Sequence, residues 1–469
     1  MTPSAFLSDQ RVFVSLGALK VAAAMEEKGL RVEVLDLSGT VNYEEVLCEY
    51  LRETKPVTVG ITATTPQMPA VAKIVAIIRH EQPTVRIILG GAHVTLINAS
   101  ARREKSPGRA TVALRQLKDL VDVLVAGDGE KAIFVALGPN PPKLISADDP
   151  KSPLFLTRED LARLPWPDRE LIDIGSYHYR IEGEEALSLV SQLGCPFGCG
   201  FCGGRHAPSF RRMRSRPIGS ILAEIEQLHQ TYGVKGFMFF DDELNVSPMF
   251  PKLLRGIIGL QERLGAEFRL RGFVKSQLFT NEQAGLMYEA GFRWILAGFE
   301  SGSDRMLQNM SKRSTAEENT RCVEIARAHQ LKVKALMSIG HPGESSATIQ
   351  ATQKWLLENG VDDFDATIVT VYPGTSYHDE AVPDPTRAGV WVYTRPNGDR
   401  LYSREIDWLA FSGSFYKGRP GEYQANVFTD FLSAEEVVAR RDQVEQKVRE
   451  ELGIPYPQTV VQSIEHSIG

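Results

Sequence analysis

Residues 193–205 read LGCPFGCGFCGGR. The chain has five cysteines in 469 residues, and this stretch holds three of them, Cys195, Cys199 and Cys202. The spacing is C-x3-C-x2-C, with Gly198, Gly200, Gly203 and Gly204 between and after. Three thiolates on one short loop can grip three corners of a cubane iron–sulfur cluster, and glycines let the backbone wrap it. A fourth cysteine is missing, so one iron would lack a protein ligand and could bind another molecule. Structural zinc is an alternative; it takes four ligands, with His206 a candidate for the fourth. A plain electron-transfer cluster is another. Cys48 and Cys322 lie far away in helix-like segments and read as small buried hydrophobes.

The bulk numbers are those of a soluble globular protein of two or three domains: 43% hydrophobic and 24% charged residues. A formal charge of -6 argues against a dedicated nucleic-acid binder. No apolar run is long enough to span a membrane, and the first ten residues do not read as a signal peptide. Clustered cysteines in such a chain point to metal or redox chemistry in a reducing, cytoplasmic setting.

Strand-like runs at 11–16, 31–37, 57–62, 85–91 and 121–127 alternate with helical patterns at 17–28, 43–53 and 69–80. That alternation predicts a parallel sheet covered on both faces, with ligands at the strands' carboxyl ends. Residues 99–119 read as a basic, irregular surface insertion, and 138–181 as a surface linker. A second series follows, with strands at 187–192, 234–242, 268–274, 293–300, 333–340 and 364–373. Six βα-like units suit a partial barrel whose site lies at the carboxyl mouth. The cysteine loop comes directly after the first of these strands. The remainder, from about residue 384, mixes loop signals with a charged helix near 434–452; its aromatics at 407–423 are candidates for pocket lining or core.

The pattern Cys195, Cys199, Phe201, Cys202 resembles the signature of the radical S-adenosylmethionine (radical SAM) enzymes. The resemblance implies a 4Fe-4S cluster on the three cysteines, reductive cleavage of S-adenosylmethionine, and a 5'-deoxyadenosyl radical that abstracts hydrogen. Further motifs agree: GGR at 203–205 in degenerate form, FFDDE at 239–243, GFESGS at 298–303 and SIGHPGE at 338–344. The S-adenosylmethionine contacts so implied are Phe201, Gly203, Gly204, Asp241, Lys275, Glu300, Ser301, Ser303 and Met337. Lys275 is a candidate partner for the methionine carboxylate.

The front series is similar to the cobalamin-binding domain of the B12-dependent branch. GGAHVT at 90–95 resembles that branch's GGxHxT loop, and GDGE at 127–130 its GEGE loop, with Asp128 replacing Glu. The implied cobalamin contacts are Ser15, Leu16, Gly17, Thr62, Thr64, Thr65, Gln67, Met68, Gly90, Gly91, His93, Val94, Thr95, Gly127, Asp128, Gly129 and Glu130. The cobalt-ligating motif DxHxxG is absent; Gln67 or Met68 is the candidate to approach cobalt, and His93 is also readable as a structural donor.

The expected fold is α/β: a Rossmann-like cobalamin-binding domain (1–140), a linker (141–183), a partial (β/α)6 radical SAM barrel (184–383) and a small α-rich extension (384–469). The expected activity is methylation of an unactivated carbon through methylcobalamin, on a small-molecule substrate such as a natural-product precursor. A flavodoxin- or ferredoxin-type protein would supply electrons. Alternatives are B12-assisted rearrangement, ring contraction or cyclisation, a vestigial B12 domain, and a non-enzymatic electron carrier or sensor.

Overall fold

The runs TVGIT, RIILG and VLVAG are short, apolar and nearly continuous, the composition of strands buried on both faces. In the computed structural model, which describes residues 11–410, 421 and 424–456, they are neighbours in one parallel sheet. Its order is β1 (Thr58–Thr62), β2 (Arg86–Gly90), β3 (Val123–Gly127), β4 (Leu144–Ala147). Alternation along β2 sends Ile87 and Leu89 into one apolar cluster with Ile61, Ile74 and Leu124, and Ile88 into another with Val125, Ile133 and Ile145. The helices are α1 (Leu16–Glu26), α2 (Tyr43–Thr54), α3 (Met68–Glu81), α4 (Ala92–Ala101), α5 (Arg109–Leu120) and α6 (Gly129–Ala136). α2 packs on α3, and α1 on α6.

Three expectations change here. Residues 11–16 and 31–37 form no ladder strand: Arg11 makes one bridge, to Tyr177, and its guanidinium bonds the carbonyls of Asp36 and Ser38 instead. The supposed insertion at 99–119 is the end of α4 and most of α5, with Glu104 accepting from the backbone N–H groups of Gly108, Ala110 and Thr111 to start that helix. The supposed linker contributes β4 to the sheet and carries the short α7 (Arg158–Arg163). This unit consists of the described residues up to 178 together with 206–214 and 406–410, whose Trp408 and Leu409 pack on its core.

The second unit holds 179–205, 215–405 and the described residues from 421 onward. The hairpin β5 (Arg180–Ile181) and β6 (Glu184–Leu189) begins it. Short β7 (Gln192–Leu193), α8 (Pro208–Arg211) and β8 (Arg214–Ser215) follow in the chain, and then α9 (Ile218–Tyr232), β9 (Gly236–Phe239), α10 (Phe250–Leu264), β10 (Arg269–Gly272) and α11 (Asn281–Ala290). Next come β11 (Trp294–Glu300), α12 (Asp304–Asn309), α13 (Ala316–Ala328), β12 (Lys332–Ile339), α14 (Ser346–Asn359) and β13 (Asp363–Ile368). β6, β9 and β10 are parallel, as are β11, β12 and β13; parallel bridges Leu270–Phe292 and Phe273–Leu296 join the two sets. The six strands thus run in one direction as an open barrel, the arrangement expected.

Beyond α15 (Ser376–Asp379) the expectation of an α-rich extension is corrected. β14 (Val382–Pro383), β15 (Val390–Thr394), β16 (Arg400–Arg404) and β17 (Val427–Thr429) make an antiparallel sheet before α16 (Ala434–Leu452). α16 lies along β13, the last strand of its sheet, and bonds its backbone: Arg441 Nε and Arg449 Nη2 donate to the carbonyls of Ala366 and Phe364, and Glu445 Oε1 accepts from Ala366 N–H. Helical side chains thereby satisfy a strand edge that would otherwise invite pairing. Of the aromatic stretch at 407–423, residues 411–420 and 422–423 lie outside the described residues.

Candidate active site

The cysteine loop hangs at the carboxyl ends of the barrel strands, and the strand ends hold it. Asp241, just past β9, is fully buried and both its oxygens are taken: Oδ2 accepts from Ser191 N–H (3.0 Å), and Oδ1 from Gln192 N–H (2.6 Å) and Ser191 Oγ. Burial pushes its carboxyl up to about 7. It anchors the start of the loop, so it is not available as the S-adenosylmethionine contact expected of it. At the other side, Gly200 N–H donates to Met310 O (2.7 Å), and a Cβ on Gly200 would stand 2.9 Å from Cε1 of Tyr377. Only glycine fits there. Phe201 meets His341 edge to face at 5.3 Å; the buried His341 bonds Tyr377 OH (3.1 Å) and Ser338 Oγ (2.8 Å), and burial holds its imidazole near 3, uncharged.

Beside the loop stands a buried charge cluster. Lys312 Nζ lies 2.7 Å from Glu300 Oε1. Glu300 has a left-handed backbone (φ 66°) at a shift in the β11–β12 register, and Gly298 leaves the room: a Cβ there would meet Oε1 of Glu300 at 2.6 Å and Nζ of Lys312 at 2.9 Å. Lys275 is buried, 4.8 Å from the Phe197 ring centre, and its ammonium reaches Lys312 O at 3.4 Å. Burial and the neighbouring Lys312 lower the Lys275 pKa, while Glu243, Cys199 and Glu300 oppose them. Glu243 Oε2 is buried with no hydrogen-bond partner, and burial raises its carboxyl to about 7 against the pull of Lys312 and Lys275. Lys312 and Glu243 are the residues the sequence reading missed. The signal for Glu243 was present in FFDDE, but the weight fell on Asp241.

Other expected contacts are placed less favourably. Met337 is enclosed within β12. Ser301 is buried, bonded to Thr352 Oγ1 at 2.9 Å, and accepts from Ser303 N–H, so it shapes a turn. Gly203 and Gly204 lie in a turn closed by Arg205, whose guanidinium bonds Gly198 O. Cys195 is half-buried, Cys199 buried and Cys202 exposed. Among the described residues no group of three or more His, Cys, Asp or Glu is gathered tightly enough for a single metal ion. A cubane asks for something different: one thiol at each of three corners, spread around a loop. The donor set fits that group: burial, helped by the neighbouring Glu243, Asp242 and Cys202, pushes the Cys195 thiol up to about 12, so an adjacent cation is what would make it a thiolate ligand.

In the first unit the expected loops after β1, β2 and β3 lie at the carboxyl edge of the sheet. Ser15, Gly17, Thr62, Thr64, Gln67, Gly90, Gly91, Gly127 and Gly129 all present surface, a Cβ on Gly17 would meet nothing within 4 Å, and the Asp128 side chain turns inward to Arg214. This open polar rim fits a large amide-bearing ligand such as cobalamin. Other members of the set are interior. Leu16, Thr65, Met68 and Val94 are buried, Met68 within the core cluster of the sheet. His93 is buried against Thr65 Oγ1 (3.1 Å) with its pKa lowered to about 3, which is a structural donor's place. Thr95 Oγ1 ties Gly91 O to Gly127 N–H, both at 2.9 Å. Glu130 is buried near Lys20 at 3.3 Å.

Comparison with known proteins agrees with this division. The model of the B12 binding domain matches residues 9–133, and that of the radical SAM superfamily residues 189–356. An uncharacterized methyltransferase of Pyrococcus horikoshii is 26% identical over 376 residues, 78% of this chain and 78% of that protein. An anaerobic magnesium-protoporphyrin IX monomethyl ester cyclase of Rubrivivax gelatinosus is 23% identical over 70% of this chain and 59% of its own length. Among solved structures, the radical S-adenosylmethionine methyltransferase TsrM of Kitasatospora setae, with cobalamin and a 4Fe-4S cluster bound, is similar at a TM-score of 0.63; identity is 18%, with 84% of this chain and 80% of that one covered. That likeness is one of fold. The two domain types account for the expected cofactors: the cluster and S-adenosylmethionine for one, cobalamin for the other. The chain therefore carries a radical SAM domain, with a B12 binding domain ahead of it.

Proposed function

We propose that this protein is a cobalamin-dependent radical SAM methyltransferase acting on an unactivated carbon of a small-molecule substrate. The observation that carries the reading is the three-thiol glycine loop at the barrel mouth beside a buried Lys–Glu cluster. When bound, the cofactors supply a carbon-centred radical and a methyl donor. The chain's own residues place and shield them. Cys195, Cys199 and Cys202 are the cluster ligands. Lys275 and Lys312 would hold the carboxylate of the methionine portion, and Glu243, with its unpartnered oxygen, would accept from the ammonium. In the front domain, Gly17, Thr62, Thr64, Gln67, Gly90, Gly91, Gly127 and Gly129 line the cobalamin edge. The cobalamin domain extends past the expected 1–140 to take in β4, and the barrel is assigned to 184–383, in a cytoplasmic enzyme reduced by a flavodoxin- or ferredoxin-type donor.

A second reading, cyclisation without methyl transfer, is favoured by the similarity to the cyclase of Rubrivivax gelatinosus. Anaerobic turnover with methyl-deuterated S-adenosylmethionine separates the two. Label in a small-molecule product supports methylation; 5'-deoxyadenosine without label in product supports cyclisation. Cys199→Ala is expected to abolish 5'-deoxyadenosine formation while cobalamin still binds, and surviving cleavage would refute the ligand assignment.

A further inference from the structure

The first unit contains a stretch of chain, 206–214, that begins a few residues after Cys202. Two buried nodes fix it. Ser209 donates to Asp148 Oδ1 through its N–H (2.8 Å) and its hydroxyl (2.6 Å). Arg214 grips Asp128 with both terminal nitrogens, one at 3.3 Å, and donates to the carbonyls of Leu156 (3.0 Å) and Ser209 (2.6 Å). Its guanidinium also lies 4.5 Å from the Phe155 ring centre. Both side chains of the Arg214–Asp128 pair are nearly out of water, and the geometry is the bidentate fork that discriminates Arg from Lys.

Asp128 is therefore bonded within the protein, and its neighbours carry the connection onward. Gly127 N–H donates to Thr95 Oγ1, which donates to Gly91 O, so hydrogen bonds link the loops after β2 and β3 to each other and, through Asp128, to Arg214. Going the other way along the chain, Arg205 is pinned to the cysteine loop through Gly198 O and Cys202 O. Only residues 206–208 separate that anchor from Ser209. Slack is small.

We propose that Arg214 and Ser209 are positioning residues that couple the cobalamin-edge loops to the cysteine loop, so that each site binds its cofactor more tightly when the other is filled. The inference rests on the proposed function of the two sites. Linkage makes the effect reciprocal, so one ratio measures it. The full-length chain would be titrated anaerobically with hydroxocobalamin, once with the cluster reconstituted and once iron-free. Wild type is expected to bind about fivefold or more tightly in the loaded form. Arg214→Lys and, separately, Ser209→Ala should bring the ratio below about twofold while iron and cobalamin still bind; Ser209→Ala removes a single hydroxyl and so guards against misfolding. A wild-type ratio of one, or an undiminished ratio in Ser209→Ala, overturns the coupling. Failure of wild type to bind iron or cobalamin would overturn instead the reading of the sites, and the coupling with it.

Discussion

Nζ of Lys312 stands 2.7 Å from Oε1 of Glu300, and the two side chains are only 5% and 12% exposed. Glu300 is held for this contact by a left-handed backbone, a conformation that costs a non-glycine residue about 1–2 kcal/mol. Removing one partner strands the other charge out of water. Lys312→Met is expected to lower unfolding free energy by about 3–5 kcal/mol in denaturant titration. The double variant Lys312→Met, Glu300→Gln should regain much of that loss, yet still bind S-adenosylmethionine more weakly by equilibrium dialysis. Full recovery of both would show the pair to be structural only.

Gly200→Ala tests the seat of the cysteine loop. The added methyl would meet the Tyr377 ring at 2.9 Å, and that ring is enclosed, so the loop must shift. A stability loss of about 1–3 kcal/mol and reduced iron after reconstitution are expected. Adding Tyr377→Leu, which clears the ring edge, should restore iron content. Unchanged iron in Gly200→Ala would show the loop to be tolerant.

Glu445 on α16 accepts from Ala366 N–H and pairs with Arg449 Nε at 2.7 Å. Glu445→Ala leaves a buried guanidinium and a strand-edge N–H short of an acceptor, and should destabilise the second unit by about 3–5 kcal/mol. Hydrogen exchange at Ala366 would rise with it.

His93 gives a pH dependence with a definite sign. Its folded pKa, near 3, lies below the ordinary 6.5 because burial disfavours the charged ring. The unfolded chain takes up the proton first, so this contribution is complete above pH 6.5 and is lost as pH falls toward 3. Between pH 7.5 and pH 5 the loss comes to about 2 kcal/mol. The stability difference between wild type and His93→Gln should shift by that amount in the variant's favour over the same interval, read from urea titrations at both pH values. A pH-independent difference would place His93 in contact with water.

Strands at 57–62, 85–91 and 121–127 were legible because burial on both faces makes them almost wholly apolar. In the barrel β9 and β11 follow the same rule, while β10 and β13 carry charges such as Arg271 and Asp363 and are marked by their place between helical patterns. Residues 11–16 and 31–37 carry similar β-branched runs but spend their polar groups on side chains such as Arg11, which composition does not reveal. The sheet of β14 to β17 was missed because its strands are short and bear charges such as Arg400 and Arg404. At the site, cysteine spacing is local and survives in the sequence. Lys312 is not: it reaches Glu300 from an irregular turn flanked by left-handed Ser311 and Arg313. Met68 and His93 show the converse, motif positions that the fold turns inward.

The front unit is assembled from three separate stretches of chain, two of them borrowed from beyond the barrel's first strand. A single cut near residue 178 would hence release an amino-terminal fragment lacking Arg214, Ser209 and Trp408. A cobalamin module moved between relatives by a cut at that boundary would leave two of its pieces behind, and a working transplant would have to carry all three together.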